Sequence, residues 1–112
     1  MRLFISGSAP LLAETHRAFE ARTGHRILER YGMTETMAAL HINPAHRPKA
    51  QCLGIPIFDV DARIIDPVTL QELPRGETGE IVAHGPQVMT GYWRNEAATA
   101  EAFIEMEGRR FL

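Results

Sequence analysis

The chain has 112 residues, a length that accommodates one small domain or a segment of a larger one. With 45% hydrophobic and 23% charged residues it is too apolar for a disordered tail and too charged for a membrane protein, and a chain this long can bury a packed core without disulfides or metals. Twelve Lys and Arg against fourteen Asp and Glu leave a formal charge of −2 with no basic run, which argues against nucleic acid as a partner.

At the amino end, small polar residues interrupt what would be the apolar stretch of a signal peptide. No apolar run approaches the ~18 residues of a membrane span, so neither a targeting segment nor a span is expected. Cys52 is alone, which suits a reducing, cytoplasmic setting and excludes an internal disulfide.

Leu3 to Ile5 reads as a buried strand that breaks at Ser6-Gly7-Ser8-Ala9-Pro10. A helix is expected next, with Pro10 at its first position, Glu14 in its first turn, Arg17 and Arg22 late, and Gly24 as its stop. Leu12 and Phe19 would form its buried stripe. Arg26 to Tyr31 reads as a second strand, broken by Gly32, after which Thr34-Glu35-Thr36 resembles a further helix start. A strand-helix-strand unit of this kind belongs to a parallel sheet whose carboxyl-end loops face a ligand crevice.

Beyond Asn43-Pro44 the texture changes. Pro44, Pro48, Gly54 and Pro56 are closely spaced, and Asp59 to Asp66 alternates with period two. Asp66-Pro67 and Pro74 to Gly79 are turn signals, and Glu80 to His84 is another strand before Gly85-Pro86. Asn95 caps a short helix that runs toward Gly108, and Phe111-Leu112 opens a strand. The fold class is therefore α/β. Residues 1–46 form the strand-helix-strand part of a doubly wound parallel-sheet domain, and residues 47–112 form a mainly β segment, a meander or distorted barrel.

The cluster Tyr31-Gly32-Met33-Thr34-Glu35 carries the richest chemistry. Its ring can cover a base, glycine admits close backbone approach, the hydroxyl can donate to a phosphate, and the carboxylate is a hard ligand for magnesium. Thr34 and Glu35 equally suit a plain helix cap. Ser6 to Pro10 can receive a ligand or merely turn the chain, and lacks the spacing of a triphosphate loop or a nucleophile elbow. His16, His25, His41, His46 and His84 form no metal-binding pattern. Asp59 and Asp61 would share one strand face, able to hold a cation or simply solvated. Met33 and Met37 read as core or pocket wall, and Tyr92-Trp93 as an aromatic packing anchor.

In order along the chain, these segments resemble the adenylate-forming acyl-CoA synthetase superfamily. Ser6-Gly7-Ser8-Ala9-Pro10-Leu11 resembles its adenine-side turn, and Glu29 to Thr36 its Tyr-Gly-x-Thr-Glu motif. Gly54-Ile55-Pro56 resembles the following Gly-x-Pro. Gly76-Glu77-Thr78-Gly79-Glu80 and Gly91-Tyr92-Trp93 resemble the block beyond it. Within the superfamily, Ser-Gly-Ser-Ala-Pro-Leu-Leu, Thr15-His16-Arg17, Thr23-Gly24-His25 and Glu-Arg-Tyr-Gly-Met-Thr-Glu-Thr resemble malonyl-CoA synthetases. The chain departs from that pattern at Met37-Ala38-Ala39-Leu40, which is more apolar, and at Phe58-Asp59, where Pro-Gly is frequent. Both departures bear on the length and polarity of the acyl substrate.

The resemblance implies a two-step ligase that uses ATP, Mg2+ and coenzyme A with a small-molecule carboxylate. Gly7, Ser8, Ala9, Pro10 and Tyr31 would frame the adenine, with Gly32 and Met33 beside them. Thr34 would hold a phosphate oxygen and Glu35 the magnesium, the two acting as the catalytic pair. Arg30, with Gly32 and Met33, would bind the acid and meet the far carboxylate of a dicarboxylate. The resemblance also implies parts outside the 112 residues: a phosphate loop before them, and after them a ribose-binding Asp and a lid domain with a catalytic lysine. The chain alone is accordingly expected to be inactive. A non-catalytic nucleotide-binding module and an inactive remnant are the alternatives.

Overall fold

The computed structural model describes residues 3–37 and 39–112. Met1 and Arg2, in the amino-terminal reading, and Ala38, in the Met37 to Leu40 stretch, lie outside the described residues. The chain forms two compact units, one running to Phe58 and one from Asp59 to Leu112.

In the first unit, β1 (Phe4–Ser6) runs parallel to β2 (Ile27–Gly32), and α1 (Ala13–Thr23) connects them. β3 (Ala39–Ile42) and β4 (Ile55–Pro56) extend the sheet antiparallel, in the order β1-β2-β3-β4. The α/β character follows from this parallel pair and its helical crossover. The core side of β2 is set by Leu28, and that of β3 by Leu40.

α1 starts three residues later than the placement of Pro10 suggests, because Ser8 takes a left-handed φ of 73° and the chain stays extended to Leu12. The His16 N–H donates to the Leu12 carbonyl at 3.0 Å as the first helical bond. Leu12 is 71% exposed and belongs to no buried stripe. His16 is the buried helical residue instead, and Phe19 meets Phe4 edge-on at 4.9 Å. At the other end Gly24, with φ 69°, returns its N–H to the Glu20 carbonyl at 2.8 Å, the left-handed stop that glycine favours.

Thr34-Glu35-Thr36 does not open an α-helix. A single 3-10 turn spans Thr34–Thr36, and Met37, with φ 54°, ends it. Thr36 rather than Thr34 fastens the turn: its hydroxyl donates to the Met33 carbonyl at 2.9 Å and accepts from the Met33 N–H at 3.1 Å. A side chain that satisfies the backbone locally competes with helix propagation.

The second unit pairs β5 (Asp61–Ile65) with β6 (Glu80–His84), and β7 (Ile104–Met106) with β8 (Arg109–Phe111), both antiparallel. α2 (Glu96–Glu101) lies between the pairs in sequence, its N-cap Asn95 accepting from the Ala98 N–H at 3.1 Å. Reciprocal bonds of 2.9 Å between Ala83 and Leu112 place β8 beside β6, over a core of Ile65, Val82 and Phe111. The unit is mainly β, and among the described residues its strands do not close into a barrel.

Several details differ from the sequence expectation. Asp59 sits outside β5 with φ 62°, so it does not share a strand face with Asp61. Asp61 is committed to arginines: Arg63 grips it with bonds of 3.1 and 2.9 Å, and Arg109 reaches it at 2.6 Å. The hydrogen bond from Arg63 is the leading cause that holds the Asp61 carboxyl below its ordinary pKa. Gly108 does not end α2. With Glu107 it forms the positive-φ turn of the β7-β8 hairpin. Trp93 is 85% exposed, with the neighbouring Arg94 guanidinium 5.4 Å over its ring, and is no packing anchor among the described residues. The segment is fixed by Thr99, whose hydroxyl accepts from the Tyr92 N–H at 2.9 Å and donates to the Asn95 carbonyl at 2.7 Å.

Candidate active site

In the first unit, the carboxyl ends of β1 and β2 carry the two glycine turns, and two cavities open there. One, about 440 Å3, is lined by Ser6, Ser8 to Leu11, Glu29 to Gly32, Gln51 and Leu53. The other, about 530 Å3, is lined by Ser8, Arg30, Gly32 to Glu35, Met37 and Ala39. Ser8, Arg30 and Gly32 belong to both and form the wall between them.

Of the ligand-site residues that the resemblance implies, all but Gly7 stand on these walls. Ala9, Pro10 and Tyr31 lie on the first cavity, and Met33, Thr34 and Glu35 on the second. Gly7 lines neither, yet it shapes both. A Cβ at this position would come within 2.8 Å of Arg30 Cγ, so the bare backbone is what lets the Arg30 stem lie across the turn.

Local pairing sets these positions. Ser6, the last residue of β1, is in register with Glu29, so β2 runs on past the end of β1 to Gly32. The β2-β3 register then shifts between Tyr31 and Gly32, an irregularity that re-aims the chain as it leaves the sheet. Behind Tyr31, the His41 ring lies 6.0 Å away between centroids, and burial lowers the His41 pKa.

The sequence reading missed Glu29, Gln51 and Leu53. The Glu29 side chain is buried, and its Oε1 accepts the Gln51 N–H at 2.7 Å across 22 residues of chain. Asn43 holds the intervening loop. Its Nδ2 donates to the carbonyls of Lys49 at 2.6 Å and Cys52 at 2.8 Å, and its Oδ1 accepts the Lys49 N–H at 2.8 Å. The Asn43 N–H itself donates to the Glu29 carbonyl at 3.0 Å. Gln51, with φ 57°, is the conformational mark of this loop, and nothing in a single sequence announces it.

The resemblance implies magnesium, and the donor set fits it. Glu35 lines the cavity with one carboxylate next to Thr34, and among the described residues no group of three His, Cys, Asp or Glu gathers to form a protein cage. Magnesium is commonly held by one or two carboxylates together with water and substrate phosphates. Arg30, lining the same cavity, supplies the opposite charge.

A parallel strand-helix-strand unit with paired cavities at its carboxyl edge is the layout of a nucleotide-using α/β enzyme. Residues 1–93 match the family described as AMP-binding enzyme, and the chain belongs to it, within the adenylate-forming acyl-CoA synthetase superfamily. It is 38% identical over 110 residues to the probable 4-coumarate--CoA ligase 1 of Dictyostelium discoideum, covering 96% of this chain and 20% of that protein. It is also 38% identical over 97 residues to a long-chain-fatty-acid--CoA ligase of Bacillus subtilis, covering 86% of this chain and 17% of that one.

Apo MatB from Rhodopseudomonas palustris superposes with a TM-score of 0.89 at 49% identity, covering 100% of this chain and 22% of MatB. A malonyl-CoA ligase in a product complex with methylmalonyl-CoA and AMP superposes at 0.82 and 38% identity, covering 98% of this chain and 23% of that one. The chain thus spans about a fifth of the length of the curated relatives it matches. No described helix is long and apolar enough to cross a membrane.

Proposed function

We propose that the chain is the central part of an ATP-dependent, AMP-forming acyl-CoA ligase that activates a small dicarboxylate of the malonate type. The observation that carries this reading is the shared wall of the two cavities. Arg30 and Ser8 stand between a space bounded by Tyr31 and the small-residue turn and a space holding Thr34 and Glu35. The adenine fits the first space, against the Tyr31 ring and the turn from Ser8 to Pro10. The reacting phosphate and acid fit the second.

In the first half-reaction a carboxylate oxygen attacks the α-phosphorus, the bond to the bridging oxygen breaks, and pyrophosphate leaves. In the second, the coenzyme A thiol displaces AMP from the acyl carbon. Neither step needs a covalent enzyme intermediate, so the residues act by position and charge. Thr34 would donate its hydroxyl to a phosphate oxygen, and Glu35 would hold magnesium. The ion, when bound, neutralises phosphate charge. Arg30 fixes the far carboxylate of the acid through its planar fork of donors. The relatives' greater length supports the further reading that the isolated chain binds without completing thioester formation. A cytoplasmic setting, argued from Cys52, belongs to the same proposal.

The test is a hybrid enzyme in which residues 3–112 replace the matching span of the malonyl-CoA ligase, assayed by malonate-dependent pyrophosphate release. Glu35→Gln is expected to lower that rate by about a hundredfold or more, and unchanged release would remove its metal-holding role. Arg30→Leu is expected to weaken malonate far more than a monocarboxylate. Equal losses on both acids would overturn the assignment of Arg30.

A further inference from the structure

We propose that Met37 is a specificity residue of the candidate active site: its thioether receives an alkyl substituent of the acid, so that an alkyl-substituted dicarboxylate is preferred to malonate. The proposal rests on the reading of Arg30 as the group that binds the far carboxylate.

The described residues give methionine no structural reason to be at this position. Met37 has φ 54° and ψ −26°, in the left-handed region that favours glycine. Its N–H donates to the Thr34 carbonyl at 3.1 Å, a main-chain bond that glycine would make equally well. Its side chain is 87% exposed, so packing among the described residues does not explain it either.

What Met37 does face is the cavity that holds Arg30, Thr34 and Glu35. Those three groups suit the charged parts of a substrate. Met33 and Met37 supply the long apolar side chains of the same wall. An unbranched, polarizable thioether adapts to varied alkyl shapes, and a ligand lying on it removes apolar surface from water. A bare malonate has no group for that surface, whereas a 2-alkyl malonate does.

The test labels the methionine methyl groups of the full chain with 13C and follows them by NMR in ATP and Mg2+ while malonate or butylmalonate is added. Both acids are expected to shift Met33. Butylmalonate is expected also to shift Met37 and to bind about tenfold tighter, and Met37→Gly to erase that preference without lowering the melting temperature. Equal affinity for the two acids, or a preference that survives Met37→Gly, would overturn the inference while leaving the dicarboxylate reading intact. If ATP moves no methyl and neither acid binds, the dicarboxylate reading falls and the inference with it. If the free chain gives no dispersed spectrum, the hybrid ligase supplies the measurement. There the ratio of kcat/KM for butylmalonate over malonate is expected to fall about tenfold in Met37→Gly, and an unchanged ratio overturns the proposal.

Discussion

Removing the Asn43 side chain tests how the loop beside the first cavity is held. Asn43→Ala deletes the bonds to the Lys49 carbonyl, the Cys52 carbonyl and the Lys49 N–H. At about 1 kcal/mol net for each, the folded loop loses about 3 kcal/mol, which corresponds to roughly a hundredfold rise in its open population. Trypsin reads this directly, because the Lys49–Ala50 bond carries the very carbonyl that Asn43 holds. Cleavage there should accelerate by about a hundredfold when opening is fast relative to cutting. The sites after Arg17 and Arg22 on α1 serve as internal controls. Asn43→Asp keeps an acceptor for the Lys49 N–H but turns a second carboxylate oxygen on the Lys49 and Cys52 carbonyls in a buried site, so it should be cut at least as fast as alanine. An Asn43→Ala chain cut at Lys49 no faster than the parent would refute this account of the loop.

Gly54→Ala should destabilise the first unit by about 2–5 kcal/mol, read as a lower urea midpoint, because Gly54 has φ 95° and a Cβ would run into the Ile42 carbonyl. A midpoint equal to the parent's would contradict it. Burial lowers the His41 pKa from its ordinary 6.5, so below that value the unfolded chain takes up a proton that the folded chain resists. The contribution of His41 to stability is therefore complete above pH 6.5 and declines as pH falls toward the folded pKa. Urea midpoints at several pH values should drop through that window in the parent and flatten in His41→Gln, and identical slopes would rule His41 out as the cause.

Strong local signals were legible before the structure. β6 coincides with the run from Glu80 to His84, Asn95 caps α2, and Gly24 stops α1. Each depends on a pattern confined to a few neighbouring residues. Elements decided by competition were not legible. Thr34 and Thr36 offer the same hydroxyl, and only the folded chain shows that Thr36 takes the Met33 backbone. Ile104–Met106 is too short to display a period, so Gly108 read as a helix stop rather than as a hairpin turn. The site divides in the same way. Tyr31 to Glu35 is contiguous and could be read directly. Glu29 and Gln51 meet only because the Asn43-held loop folds back, and that contact lies 22 residues apart in sequence.

The wall shared by the two cavities has a thermodynamic consequence. Ser8, Arg30 and Gly32 border both spaces, so a ligand that fixes the Arg30 side chain in one space alters the surface presented to the other. Linkage then makes the effect mutual: whatever factor one occupant imposes on the affinity of its neighbour, the neighbour returns in full. Gly7 sets how freely that message passes. With no Cβ beneath it the Arg30 stem lies across the turn, whereas an alanine there would displace the stem from the wall that the two spaces share.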